Sequence, residues 1–97
     1  GGLEHYDPVP YFWSEQFGRM VQYVGLHSPA DQLIWRGDPE SDRFGACWLA
    51  GGKLTALLSV GIPKDVAQGR RLIAAGTAVD PALIADPAVA VRNTALG

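Results

Sequence analysis

Two adjacent glycines, Gly51 and Gly52, stand between Arg43–Ala50 and Lys53–Val60, two stretches in which apolar residues alternate with small or polar ones. A two-residue turn joining paired strands needs positive φ at its central positions, which glycine adopts without a steric cost. The pattern therefore predicts an antiparallel hairpin, and with it a sheet for the rest of the chain to join. Phe44, Ala46, Trp48 and Ala50 share one face of the first arm, and Leu54, Ala56, Leu58 and Val60 share one face of the second. Cys47 falls on the opposite face with Gly45 and Leu49, where it reads as a small buried hydrophobe rather than a reactive thiol.

Upstream, Phe12–Gln16 predicts a first strand closed by Phe17-Gly18, and Arg19–Gly25 a second that pairs with it across the short turn. After the proline-containing loop Leu26–Ala30, Asp31–Gly37 supplies a third strand, with Leu33 and Trp35 on one face and Ile34 on the other. Asp38–Asp42 is a polar turn. Downstream of Gly61 the period changes. Pro63 suits the first turn of a helix, and Val66, Gly69, Leu72 and Ile73 recur at helical spacing before Gly76. Gly69 weakens the interior of that helix, a cost that a close approach of helix to sheet would explain. Asp80-Pro81 pairs an N-cap with a first-position proline and opens a short helix over Ala82–Ile84; Asp86-Pro87 repeats the device before a weak C-terminal segment. Strands followed by helices predict an α+β fold: an antiparallel sheet of about five strands, a covering helix over about 63–75 and short C-terminal helices.

A chain of 97 residues with 47% hydrophobic content builds one soluble domain, here residues 9–97, after a polar approach segment at 1–8. A net charge of −2 supplies no basic field for nucleic acid or an anionic membrane surface. No apolar run is long enough to cross a bilayer, and the first residues lack the pattern of a secretory signal. The lone Cys47 excludes an internal disulfide and a thiol redox pair, so the expected compartment is reducing and cytoplasmic. There is no GxGxxG after a strand and no phosphate loop, hence no dinucleotide cradle of the chain's own.

Candidate chemistry is sparse. His5 and His27 lack companions at metal-ligand spacing and read as loop residues. Ser14-Glu15 has no neighbouring histidine or nucleophile elbow, and suits local hydrogen bonding. Asp38, Glu40 and Asp42 alternate like carboxylates of a calcium loop, but the glycine and distal glutamate of such a loop are missing. Arg70-Arg71 reads as a solvated face that could also steer an acidic partner. Trp35 and Trp48 are assigned to the core. Trp13 is different: it follows the stiff Pro8-Val9-Pro10 approach and precedes polar residues, a position from which an aromatic can face a cofactor or an interface.

Val9–Gln16 resembles the P-x-F/Y-W-S-D/E-Q signature that opens the C-terminal domain of FAD-dependent ferredoxin reductases, a group that includes the putidaredoxin, rubredoxin and biphenyl-dioxygenase ferredoxin reductases and, more distantly, apoptosis-inducing factor. Trp48–Leu54 is similar to the family's hairpin, and Arg70–Gly76 with Val79–Pro87 to its C-terminal stretch. The resemblance implies a domain that packs against FAD- and NAD(P)H-binding domains upstream, FAD and NAD(P)H being held mainly by those domains and none expected on this chain alone. It implies a ferredoxin-type carrier as partner and leaves a homodimer open. It places Trp13 beside the flavin near the docking site of the carrier, with Phe12, Glu15 and Gln16 matching the same motif; Glu15 stands where many relatives have aspartate. The parent protein is then an FAD-dependent NAD(P)H:ferredoxin oxidoreductase, while the isolated chain is no enzyme. The alternative from another class is a stand-alone binding or dimerisation module without catalytic activity.

Overall fold

The computed structural model describes residues 11–16 and 19–96, with the backbone alone at Tyr11, Trp13, Glu15 and Gln16. The glycine pair closes the hairpin as the sequence predicts, with φ of 59° at Gly51 and 83° at Gly52, and Ala50 opposite Lys53. Around it the strands are β1 Tyr11–Gln16, β2 Arg19–Gly25, β3 Gln32–Arg36, β4 Phe44–Ala50 and β5 Lys53–Val60. They form one five-stranded antiparallel sheet in the order β1-β2-β5-β4-β3. The predicted pairing of the first two strands is observed, Phe12 opposite Tyr23 and Trp13 opposite Gln22.

Helix α1, Pro63–Ala75, lies against β5 and β2, with Pro63 in its first turn and a left-handed Gly76 cap at its end. At Gly69 helix and sheet stand close together: a Cβ there would lie 3.0 Å from Leu57 Cδ1, so the close contact inferred from the sequence exists. The short helix α2, Pro81–Ile84, is capped by Asp80, whose Oδ1 accepts from the Ala82 and Leu83 amides at 2.9 and 3.4 Å. Asp86 accepts from the Ala88 amide in the same manner but opens a turn, and the chain next forms a 3₁₀-helix over Val91–Thr94. The C-terminal end then returns to the hairpin tip: Val79 donates to Gly52 O at 2.9 Å, and Leu96 to Ala78 O at 2.9 Å.

The core lies between the helices and one face of the sheet. Val24, Cys47, Leu49, Leu54 and Leu57 from the strands meet Val66 of α1 and Val79, Ile84 and Val91 of the C-terminal region, with Ile34, Leu72 and Ile73 around them. Each such aliphatic side chain contributes roughly 1.5–3 kcal/mol by leaving water, so the C-terminal residues are part of the fold and not an appendage.

Two expectations need correction. The predicted run Leu54, Ala56, Leu58, Val60 does not share one face, because the ladder slips between Trp48 and Leu49: Trp48 faces Ala56 but Leu49 faces Leu54. A bulge leaves the intervening Thr55 without a register partner on β4, though its hydroxyl donates to Trp48 O at 3.1 Å, and turns Leu54 into the core. Trp35, assigned to the core, is instead 47% exposed, because β3 is an edge strand and presents that residue on the face the helices do not cover. Trp48 is half-buried on the same face.

Candidate functional site

The register lines up two rows of residues across the whole sheet. One runs Phe12, Tyr23, Leu58, Ala46, Trp35; the adjacent one runs Trp13, Gln22, Ser59, Gly45, Arg36. The first belongs to the face opposite the core, where Phe12, Leu33 and Trp35 are all large, apolar and exposed. Aromatic contacts knit this face together: Phe12 and Tyr23 have ring centroids 6.4 Å apart, Tyr23 meets Trp48 edge-on at 5.9 Å, and Trp35 lies 6.1 Å from Phe44. His27 stacks on Trp48 at 4.1 Å with its ring 13° from parallel, and its Nδ1 is 2.8 Å from the Tyr23 hydroxyl. Sequence reasoning gave His27 only a turn; the ring contact depends on Trp48, distant in sequence.

The loop that presents His27 is anchored by Asp31, whose Oδ2 accepts from the Ser28 amide at 3.0 Å and from the bulge residue Thr55 at 2.7 Å. The Ser28 amide first, and the Thr55 hydroxyl second, hold its carboxyl below the usual carboxylate range.

Of the residues singled out by the signature, Phe12 is on the exposed face at 63% exposure and lines a shallow notch of about 180 Å³ with Ser14, Val21 and Tyr23. The expectations placed on the side chains of Trp13, Glu15 and Gln16 lie outside the described residues; their backbones pair with Gln22, Met20 and Arg19. His5 also lies outside them. Ser14 is exposed, and the Asp38–Asp42 turn is held by local bonds, such as Asp38 Oδ1 accepting from the Glu40 amide at 2.9 Å. Asp42 pairs with Arg19 at 2.9 Å on the surface, a contact worth little in water. Among the described residues no three histidine, cysteine or carboxylate groups cluster as metal ligands would.

A second feature lies where α1 meets the 3₁₀-helix. Lys64, Ala67, Gln68, Arg71 and Leu72 recur at helical spacing along one face of α1 and, with Arg92 of the 3₁₀-helix, line a cleft of about 380 Å³. Gln68 bridges its walls, Oε1 accepting from the Arg92 amide at 3.0 Å. Arg71 was legible as a solvated cation, whereas Lys64 and Arg92 were missed. The spacing from Lys64 to Arg71 on one helix face was a usable signal; Arg92 becomes a neighbour only once the C-terminal segment folds back.

That fold-back is held by Arg36, another residue the sequence did not single out. The guanidinium is 2% exposed; its Nε donates to Asp65 Oδ2 at 3.0 Å, and its terminal nitrogens donate to the carbonyls of Ile84 at 3.2 Å, Asp86 at 2.8 Å and Val89. A planar fork with five donors suits several fixed acceptors at once, which an ammonium could not match. Cys47, buried in the same core, has its thiol pushed up to about 12 by burial, far from any reactive range.

Comparison with known proteins follows the same residues. The model of a family described as the reductase C-terminal domain matches residues 11–95. The ferredoxin reductase subunit of the 5,5'-dehydrodivanillate O-demethylase of Sphingobium is 43% identical over 81 residues, covering 84% of this chain and 20% of that protein. The ferredoxin–NAD(+) reductase component of the anthranilate 1,2-dioxygenase system of Burkholderia cepacia is 36% identical over 94 residues, covering 96% of this chain and 23% of its own length. Among solved structures, Fdr9 is 48% identical with a TM-score of 0.79, covering 88% of this chain and 22% of that one. The putidaredoxin reductase in its covalent complex with putidaredoxin is 29% identical with a TM-score of 0.81, covering 89% of this chain and 21% of the solved chain. The chain thus spans about a fifth of the length of the relatives it matches. With nearly every described residue inside the family match, the chain belongs to the reductase C-terminal domain family of the ferredoxin reductases.

Proposed function

We propose that this chain is the C-terminal domain of a flavoprotein oxidoreductase that passes electrons from NAD(P)H through FAD to a ferredoxin-type iron–sulfur protein, this domain walling the flavin and helping to dock the carrier. The observation that carries the docking part is the cleft. Lys64, Arg71 and Arg92 line it without a carboxylate at salt-bridge distance among the described residues, on a chain whose net charge is −2. Cations concentrated in one place on an otherwise acidic surface steer an acidic partner and set its orientation.

For the flavin, the residues at hand fit a wall and not a cradle. The notch beside Phe12 is about 180 Å³, below the roughly 300–1,000 Å³ of sites that enclose a ligand, and its lining is mostly apolar. An exposed aromatic on a strand, stiffened by pairing with β2, can cover one side of a planar ring and exclude water from it. FAD, when bound by the rest of the parent enzyme, supplies the hydride and electron chemistry. Trp13, Glu15 and Gln16 belong to the same strand, Trp13 in the row next to that of Phe12, and are proposed with it on the strength of the shared signature. NAD(P)H and most of the FAD are assigned to the remaining four-fifths of a relative-sized protein, and the exposed face bearing Phe12, Leu33 and Trp35 is the surface proposed to pack against it.

The test uses the full-length reductase with two variants. Reversing the cleft charges, Lys64→Glu with Arg71→Glu and Arg92→Glu, is expected to raise the KM for carrier about tenfold or more at low salt and to flatten its salt dependence. Reduction of ferricyanide, a small acceptor that needs no docking surface, should be unchanged. Phe12→Ala with Trp13→Ala is expected to alter the flavin absorbance or the rate of carrier reduction. A charge-reversed enzyme with unaltered carrier KM removes the docking role, and unaltered absorbance and rate in Phe12→Ala with Trp13→Ala remove the wall.

A further inference from the structure

We propose that Gln68 is a positioning residue for carrier docking, holding Arg92 in the orientation at which the cleft can pair with an acidic surface; the inference rests on the reading that the cleft receives the carrier. The 3₁₀-helix Val91–Thr94 begins at Ala90, which offers no side chain to its first amides. Unsatisfied amides at a helix start need an acceptor, or the turn frays. Gln68 provides one from another element: its Oε1 accepts from the Arg92 amide at 3.0 Å, across 24 residues of sequence.

Gln68 is also placed for this by the helix itself. It lies one turn after Lys64 and just under one turn before Arg71, so the two helical cations and the acceptor share a face of α1. The bond therefore ties the Arg92 backbone to the element that carries the other two cations. From beneath, Arg36 fixes the approach to the turn through the carbonyls of Ile84, Asp86 and Val89, and its bond to Asp65 ties that approach to the first turn of α1. Val91 is fully buried, so the segment cannot leave; what the Gln68 bond adds is the fixed direction of the residue beside it.

Position and charge make separable contributions. Long-range steering depends on the charge of Arg92, which remains when the bond is lost; a short, oriented guanidinium–carboxylate contact depends on where its backbone is held. Removing Gln68 should therefore weaken docking without changing how docking responds to salt.

The experiment is a double-mutant cycle in the full-length reductase, with the better reduced of putidaredoxin and a plant-type ferredoxin as carrier probe. Gln68→Leu is expected to raise the carrier KM about three- to fivefold, leaving kcat, ferricyanide reduction and the slope of log KM against log salt unchanged. Arg92→Ala should raise the KM and also reduce that slope. In the Arg92→Ala background, Gln68→Leu should have no further effect. An unchanged KM in Gln68→Leu, or an equal rise in both backgrounds, overturns the positioning role while leaving the cleft as docking site. If Arg92→Ala changes neither the KM nor the slope, the docking reading falls and this inference with it.

Discussion

Arg36 and Asp65 meet at 3.0 Å with side chains only 2% and 4% exposed, joining an edge strand to the first turn of the covering helix. Desolvating two charges is costly, and the pair is tolerable because three of the four remaining guanidinium N–H groups donate to main-chain carbonyls. Removing one partner leaves the other buried and uncompensated. Arg36→Met is expected to destabilise the fold by about 3–5 kcal/mol, a large share of the stability of a domain this size. Arg36→Met combined with Asp65→Leu should recover the part of that loss due to the stranded carboxylate, while the carbonyls of Ile84, Asp86 and Val89 stay without the guanidinium in both proteins. Urea midpoints of the two proteins decide it; equal midpoints would mean that the pair is not coupled.

At Gly69 two effects of similar size oppose each other. Alanine in place of a mid-helix glycine favours the helix by about 1 kcal/mol. Its Cβ would stand 3.0 Å from Leu57 Cδ1 and 3.5 Å from Leu57 Cβ, and Leu57 is fully buried with little room to yield. Overpacking of this kind costs about 1–3 kcal/mol, so Gly69→Ala is expected to lower stability slightly and Gly69→Val to lower it by several times more. A thermal midpoint higher than that of the parent chain for Gly69→Ala would show that the helix can lift off the sheet at no cost.

What could be read from the sequence was whatever local chemistry decides. Gly51-Gly52, Pro63, Gly69, Gly76 and Asp80-Pro81 each constrain their own backbone, and the elements they bound were found where those residues place them. The bulge at Thr55 could not be read, since it depends on which β4 residue stands opposite. Trp35 was misassigned for a related reason: alternation gives it a face, but only strand order reveals that no helix covers it. Arg36 was invisible because its partners lie 29 to 53 residues away. In the candidate site, Phe12 was legible from a contiguous motif, whereas the cleft needed Arg92 brought back against α1 by those same distant contacts.

Cys47 gives a test of the core that depends on pH. Its thiol is fully buried, and burial pushes it up to about 12 in the fold, against about 8.5 for a cysteine in an unfolded chain. A group whose folded value is raised contributes stability that is complete below the unfolded value and is lost as pH rises from there towards the folded one. Between pH of about 8.5 and 12 the unfolded chain therefore releases a proton that the folded chain keeps, and stability should fall by up to about 1.4 kcal/mol per pH unit from this group alone. The measurement is a difference between two proteins, so that ionisations other than that of Cys47 cancel. The advantage of the parent chain over Cys47→Ala, read from urea midpoints, should be constant from pH 6 to 8 and shrink steadily from pH 9 to 11. The native thiol should also resist iodoacetamide at pH 8 until urea unfolds the chain. Parallel stability curves for the two proteins, or prompt labelling in the native state, would show that water reaches the sulfur and that the face of the sheet beneath α1 opens more readily than its packing implies.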